Sequence, residues 1–115
     1  MPVIKAWCLP AQSEDDLRKL HKTIVGVVTG VTELGLKSEK GMTVLFPPDM
    51  MRYGLGEEVI IEVTGLFEKP ERTNEVRQTL AHNLGTAIHE LFPDAMVECF
   101  VYSFNPAQGF WSSRD

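Results

Sequence analysis

A shift of 60 positions, the distance from Ser13 to Thr73, lays one half of this chain on the other. At that shift Leu20 falls on Leu80, Ile24 on Leu84, Val28 on Ile88 and Val31 on Leu91. A helix cap and the apolar stripe behind it therefore recur together, which confines the chain to folds built from two like units. Each unit reads β-α-β. Pro2 to Leu9 (PVIKAWCL) is short, mostly apolar and halted by Pro10, as a strand is. Ser13 offers an N-cap, and Glu14, Asp15 and Asp16 suit the positive end of a helix dipole. Leu17, Leu20, Ile24, Val27, Val28 and Val31 then follow helical spacing, with Gly35 placed to stop the helix. Met42 to Phe46 (MTVLF) is a second strand, closed by Pro47 and Pro48.

A loop with Arg52, Tyr53, Gly54 and Gly56 leads to the second unit. Its first strand is Val59 to Phe67 (VIIEVTGLF), interrupted by a glycine. Thr73 caps a helix with apolar positions Val76, Leu80, Leu84, Ala87, Ile88 and Leu91, which Pro93 ends. Met96 to Phe104 (MVECFVYSF) is the last strand. The expected fold is α+β and fills 1–115 as one domain, with repeat 1 at about 2–48 and repeat 2 at about 58–111. Right-handed crossovers place two helices on one face of a four-stranded mixed sheet. The other face needs cover. Phe100, Tyr102 and Phe104 alternate with Val97, Cys99 and Val101, so the last strand has two apolar sides and a symmetric oligomer is expected.

Composition narrows the function. The formal net charge is -5 and the pI about 5.1, leaving no general basic field for a nucleic-acid backbone. No apolar run approaches the roughly 20 residues that span a bilayer, and no signal region opens the chain, so no membrane role and a cytoplasmic location are expected. Cys8 and Cys99 sit alone in apolar segments and read as reduced, buried residues. His21, His82 and His89 lack a partner at metal-ligand spacing, and no phosphate loop or G-x-S-x-G context is present. Neither a metal nor a cofactor is expected.

Pro2 is the chemically distinctive residue. Removal of Met1 before so small a neighbour leaves a secondary amine at the chain start. An α-amino group titrates at roughly 7.7–8.0. Apolar surroundings or a nearby cation lower that value toward neutrality, where a general base works best.

A Met-Pro start on a strand, followed by duplicated β-α-β units, resembles the tautomerase superfamily, which includes 4-oxalocrotonate tautomerase, carboxymethyl-hydroxymuconate isomerase and macrophage migration inhibitory factor. Pro2 through Leu9 to Ser13 is similar to the 4-oxalocrotonate tautomerase pattern, at the family's spacing from proline to helix cap. Arg72-Thr73-Asn74-Glu75, Gln78-Thr79-Leu80 and Ala87-Ile88 are similar to that family's Arg-Ser-Asp-Glu helix start and its continuation. Asn105-Pro106-Ala107 with Gly109 and Trp111 is similar to the last segment of macrophage migration inhibitory factor.

The resemblance implies a homotrimer with each Pro2 at a subunit boundary. It implies a tautomerase or isomerase without cofactor, in which Pro2 moves a proton on a small 2-oxo or enol acid. Arg72 matches the arginine that binds a substrate carboxylate, for which its planar fork is suited. Phe110 or Trp111 is expected as an apolar wall, Tyr102 as a possible proton donor, and Arg52 as a second cation from the linker. The pattern also departs from the family. Gln12 stands where the first repeat would carry the arginine, and Glu98 falls near a second one. These changes put a dicarboxylate substrate in doubt and leave alternatives open. One is a related dehalogenase, hydratase or decarboxylase with Glu98 as an acidic group, and another is a non-enzymatic trimer that binds a metabolite or protein.

Overall fold

A computed structural model describes residues 1–48 and 57–114. Its elements are β1 (Val3–Trp7), α1 (Glu14–Gly30), β2 (Thr43–Leu45), β3 (Glu58–Phe67), α2 (Asn74–Leu91) and β4 (Met96–Phe104), with short 3₁₀ turns at Thr32–Leu34, Glu39–Gly41 and Pro106–Gln108. The strands lie in the order β2-β1-β3-β4. β1 runs parallel to β2, β3 parallel to β4, and the two units join through the antiparallel β1–β3 pair. This is the α+β architecture expected from the repeat: a mixed sheet with both helices on one face.

Both helices begin where the sequence places a cap. Ser13 accepts from the Asp16 backbone N–H at 3.1 Å, and the Asp16 carboxylate accepts from the Ser13 N–H at 3.4 Å, a reciprocal capping box. Thr73 accepts from the Val76 N–H at 3.2 Å. Ser13→Ala leaves the Asp16 N–H without its side-chain partner and should lower stability by about 1 kcal/mol, measured by urea unfolding. The core forms where the helix stripes meet one side of the sheet. Leu20, Ile24 and Val28 of α1 and Leu80, Leu84 and Ile88 of α2 pack with Ile4, Val59, Ile61 and Val63.

Three boundaries depart from the sequence expectation. α1 stops at Gly30 rather than at Gly35, because Val31 leaves helical geometry; Gly35, at φ 73°, ends the following 3₁₀ turn. The strand expected over Met42–Phe46 is only Thr43–Leu45. Leu91, expected to mirror the buried Val31, is 49% exposed, and Phe92 and Ala95 pack against the core at that end instead. Cys8 and Cys99 are half-buried rather than fully enclosed.

The opposite face of the sheet carries Lys5, Trp7 and Glu62. Trp7 Nε1–H donates to the Glu62 carboxylate, and the Lys5 ammonium lies 5.9 Å from the Trp7 ring centre. On β4 this face shows Phe100 and Tyr102, near-parallel rings 6.4 Å apart that are both substantially exposed. No helix among the described residues is long and apolar enough to cross a membrane.

Candidate functional site

Pro2 precedes the first residue of β1 and is buried. Its carbonyl accepts from the Thr43 N–H at 2.9 Å, which ties the chain start to β2. On the other side, β3 breaks register between Val63 and Leu66, and Gly65 in that bulge adopts φ +70°. A Cβ at Gly65 would lie 3.1 Å from the Met1 carbonyl oxygen and 3.7 Å from Pro2 Cα. Glycine thus supplies both the left-handed backbone and the space beside the proline nitrogen. Gly65→Ala should cost about 1–2 kcal/mol in urea unfolding, because its methyl group crowds the Met1 carbonyl and Pro2 Cα and its φ is left-handed.

With Met1 in place, the cleft around Pro2 has a volume of about 300 Å³, and Met1, Leu36, Phe67 and Gly65 are among its walls. Four cationic side chains line it: Lys40 from the second 3₁₀ turn, Lys69 and Arg72 from the turn between β3 and α2, and Arg114 from the C-terminal tail. No carboxylate is among its described lining residues. Ion pairs among the described residues join Arg18 to Glu14 and Asp15 at the start of α1, and none engages the four cations of the cleft.

Arg72 is only 7% exposed, the one buried charged side chain among the described residues. Its Nε–H and Nη2–H donate to the Leu34 carbonyl at 3.2 and 2.7 Å, and Nη1–H donates to the Phe67 carbonyl at 2.8 Å. The guanidinium therefore joins the end of the 3₁₀ turn after α1 to the end of β3. Two of its five N–H groups are not used by these bonds. Burial lowers its pKa below the usual arginine range, while nearby Glu71 pulls it back up. The group remains a cation at neutral pH.

The other expected site residues are placed differently. Phe110 meets Phe67 edge-on, with ring centres 4.8 Å apart, so it backs a cleft wall rather than lining the cleft. Tyr102 lies away from Pro2, in a separate hollow beside Asn74 and Arg77 at the start of α2. Glu98 is exposed on the same strand. Arg52 and Tyr53 lie outside the described residues. The sequence reading missed Lys40, Lys69 and Arg114, and it saw Gly65 only as an interruption of a strand. Lys69 alone had a local signal, since it opens the short turn that ends at Arg72; the Arg72 N–H donates to the Lys69 carbonyl at 3.0 Å.

Burial pushes the Cys99 thiol up to about 12, so it is a poor nucleophile at neutral pH. Among the described residues no cluster of His, Cys, Asp and Glu is arranged to hold a metal ion.

No family model and no curated protein matches the chain by sequence. Solved structures match it along nearly its whole length. A fused 4-OT, described as a wild-type asymmetric trimer, superposes with a TM-score of 0.74 at 13% identity, over 98% of this chain and 94% of that one. Macrophage migration inhibitory factor of Toxoplasma gondii gives 0.69 at 17% identity, over 97% of both chains. The chain shares the fold of these two structures. FG41 malonate semialdehyde decarboxylase, inhibited by 3-bromopropiolate, shares this fold with a TM-score of 0.65 at 14% identity, over 98% of this chain and 91% of that one. Identities this low establish the architecture and leave the activity to the residues of the cleft.

Proposed function

We propose that the protein is a cofactor-independent tautomerase or isomerase of a small 2-oxo or enol acid, with Pro2 as general base. The observation that carries this reading is a cationic cleft lined by Met1 and Pro2, with Arg72 fixed in its wall. Once Met1 is removed, the neutral amine takes a proton from the carbon beside the substrate carbonyl. The electron pair of that C–H bond passes to the carbonyl oxygen as an enolate, and the protonated amine returns the proton to that oxygen, giving the enol, or, where the enolate is conjugated with a further double bond, to a different carbon. The cations favour the enolate and disfavour a further positive charge on Pro2, which keeps the base in its neutral form. Arg72 directs its two remaining N–H groups to the substrate carboxylate.

Hydration, dehalogenation and decarboxylation call for an acidic group to position water, and within one subunit Glu98 does not line the cleft with Pro2; isomerisation needs no such group. The assembly proposed is a homotrimer in which neighbouring copies cover the outer sheet face around Trp7, Phe100 and Tyr102. Tyr102 then has a route to a neighbour's cleft that it lacks within its own subunit. The test is ketonisation of a phenylpyruvate-type enol by the Met1-free chain and by its Pro2→Ala variant. Activity is expected only with Pro2, and equal rates overturn the reading.

A further inference from the structure

Met1 is 41% exposed, yet the bond that joins it to the next residue runs into the body of the fold, because Pro2 is buried. Both residues are held. The Thr43 N–H donates to the Pro2 carbonyl at 2.9 Å, and the Thr43 hydroxyl donates to Met1 Sδ at 3.1 Å, so one residue of β2 grips both members of the dipeptide. On the other side the Met1 carbonyl lies against Gly65, where a Cβ would sit 3.1 Å from its oxygen. Val3, the next residue along, is paired with Thr43 of β2 and with Thr64 of β3. A chain end tied to two strands in this way is kept from the fraying that free termini undergo.

We infer that the Met1–Pro2 bond is a processing site open to a methionine-removing peptidase only before β1 docks between β2 and β3, so that folding seals any chain still carrying Met1. Excision is hydrolysis: water gives its hydroxyl to the Met1 carbonyl carbon and a proton to the Pro2 nitrogen, releasing methionine and leaving the secondary amine. An exopeptidase has to draw Met1 and the bond after it into its own active site, which lifts Pro2 out of the fold and breaks the Thr43 contacts. Cleavage of such a bond tracks the small population of opened chains. Before folding, the partners of the seal are distant in sequence. At roughly 5–20 residues per second Gly65 is synthesised about 3–13 s after Met1, and excision is confined to that interval and to the time folding then takes. A chain that misses it keeps an amide at Pro2 for as long as it stays folded. The seal rests on these contacts alone; its consequence for activity rests on the proposed role of Pro2.

The full chain made in a translation system free of such peptidases retains Met1 and is then allowed to fold. Purified methionine aminopeptidase is added to this chain, to a peptide of residues 1–10, and to a chain with Gly-Ser inserted between Met1 and Pro2, and loss of Met1 is followed by intact mass. The folded chain should lose Met1 at about a tenth of the peptide's rate or below. The lengthened chain should lose it near the peptide's rate while folded, since its first bond lies beyond the Thr43 and Gly65 contacts. An unchanged melting temperature shows that the insertion leaves the fold intact, and the comparison of the wild-type chain with the peptide decides the matter if it does not. Equal rates for the folded chain and the peptide, or a folded lengthened chain as resistant as the wild type, would each overturn the seal. Ketonisation is read separately. A sealed chain that is active on the enol with Met1 attached sinks the base and leaves the seal standing. An unsealed chain whose activity rises as Met1 is lost sinks the seal alone.

Discussion

Replacing Pro2 with alanine should lower kcat/KM for ketonisation of a phenylpyruvate-type enol by about a hundredfold or more, the usual contribution of a positioned general base. The variant keeps an amine at the chain start. It loses the ring that holds this nitrogen at fixed φ between the Thr43 hydrogen bond and the Gly65 bulge. A primary amine there rotates, so any residual rate reports the share of catalysis that depends on placement rather than on basicity. A parallel reading comes from Met1. While Met1 is attached, the Pro2 nitrogen is an amide and has no lone pair available for protonation. Activity across preparations should therefore track the Met1-free fraction in intact-mass spectra. A preparation that is fully active with Met1 in place would rule out the amine as base.

Arg72→Met should have the largest effect on stability of any single change at the cleft. Methionine fills much of the same volume but leaves the Leu34 and Phe67 carbonyls without their donors. An orphaned buried acceptor costs about 1–3 kcal/mol; the Leu34 carbonyl is buried and the Phe67 carbonyl part-buried, so the two together should cost about 2–5 kcal/mol in urea unfolding. Arg72→Lys should recover only part of this. One ammonium lacks the planar fork that reaches two carbonyls from separate segments. Catalysis should fall further than stability explains, because the cation beside Pro2 is gone in Arg72→Met; rates are to be compared per folded molecule. If Arg72→Met unfolds at the wild-type urea midpoint, the guanidinium is not the link between the 3₁₀ turn and β3 that its hydrogen bonds describe.

Arg72 also shows how far sequence reasoning reaches. Its position before the Thr73 cap and its resemblance to a family arginine pointed to substrate binding, and neither suggested that three of its N–H groups hold backbone. That duty depends on Leu34, 38 residues away, at the end of the 3₁₀ turn that follows α1. Leu91 illustrates the same limit in the core. Its helical phase matches Leu84 and Ile88, yet the last turn of α2 leaves it exposed, and Phe92 and Ala95 pack against the core there. By contrast Ser13, Thr73 and the paired stripes from Leu20 to Ile88 behaved as the 60-residue shift required, because capping and periodicity are set within a few residues.

The sequence by itself determined two β-α-β units, the caps that start both helices, the faces that form the core, and a proline at the head of the first strand. Each of these rests on contacts between near neighbours or on the repetition of a local pattern. Only the tertiary structure decided what surrounds that proline. The antiparallel register pairing Val3 with Thr64 sets Gly65 against Pro2, and two turns and the C-terminal tail bring Lys40, Lys69, Arg72 and Arg114 to one cleft. No spacing rule links residues 2, 40, 65, 72 and 114. Their meeting follows from strand register and chain reversal, which are settled by packing of the whole domain.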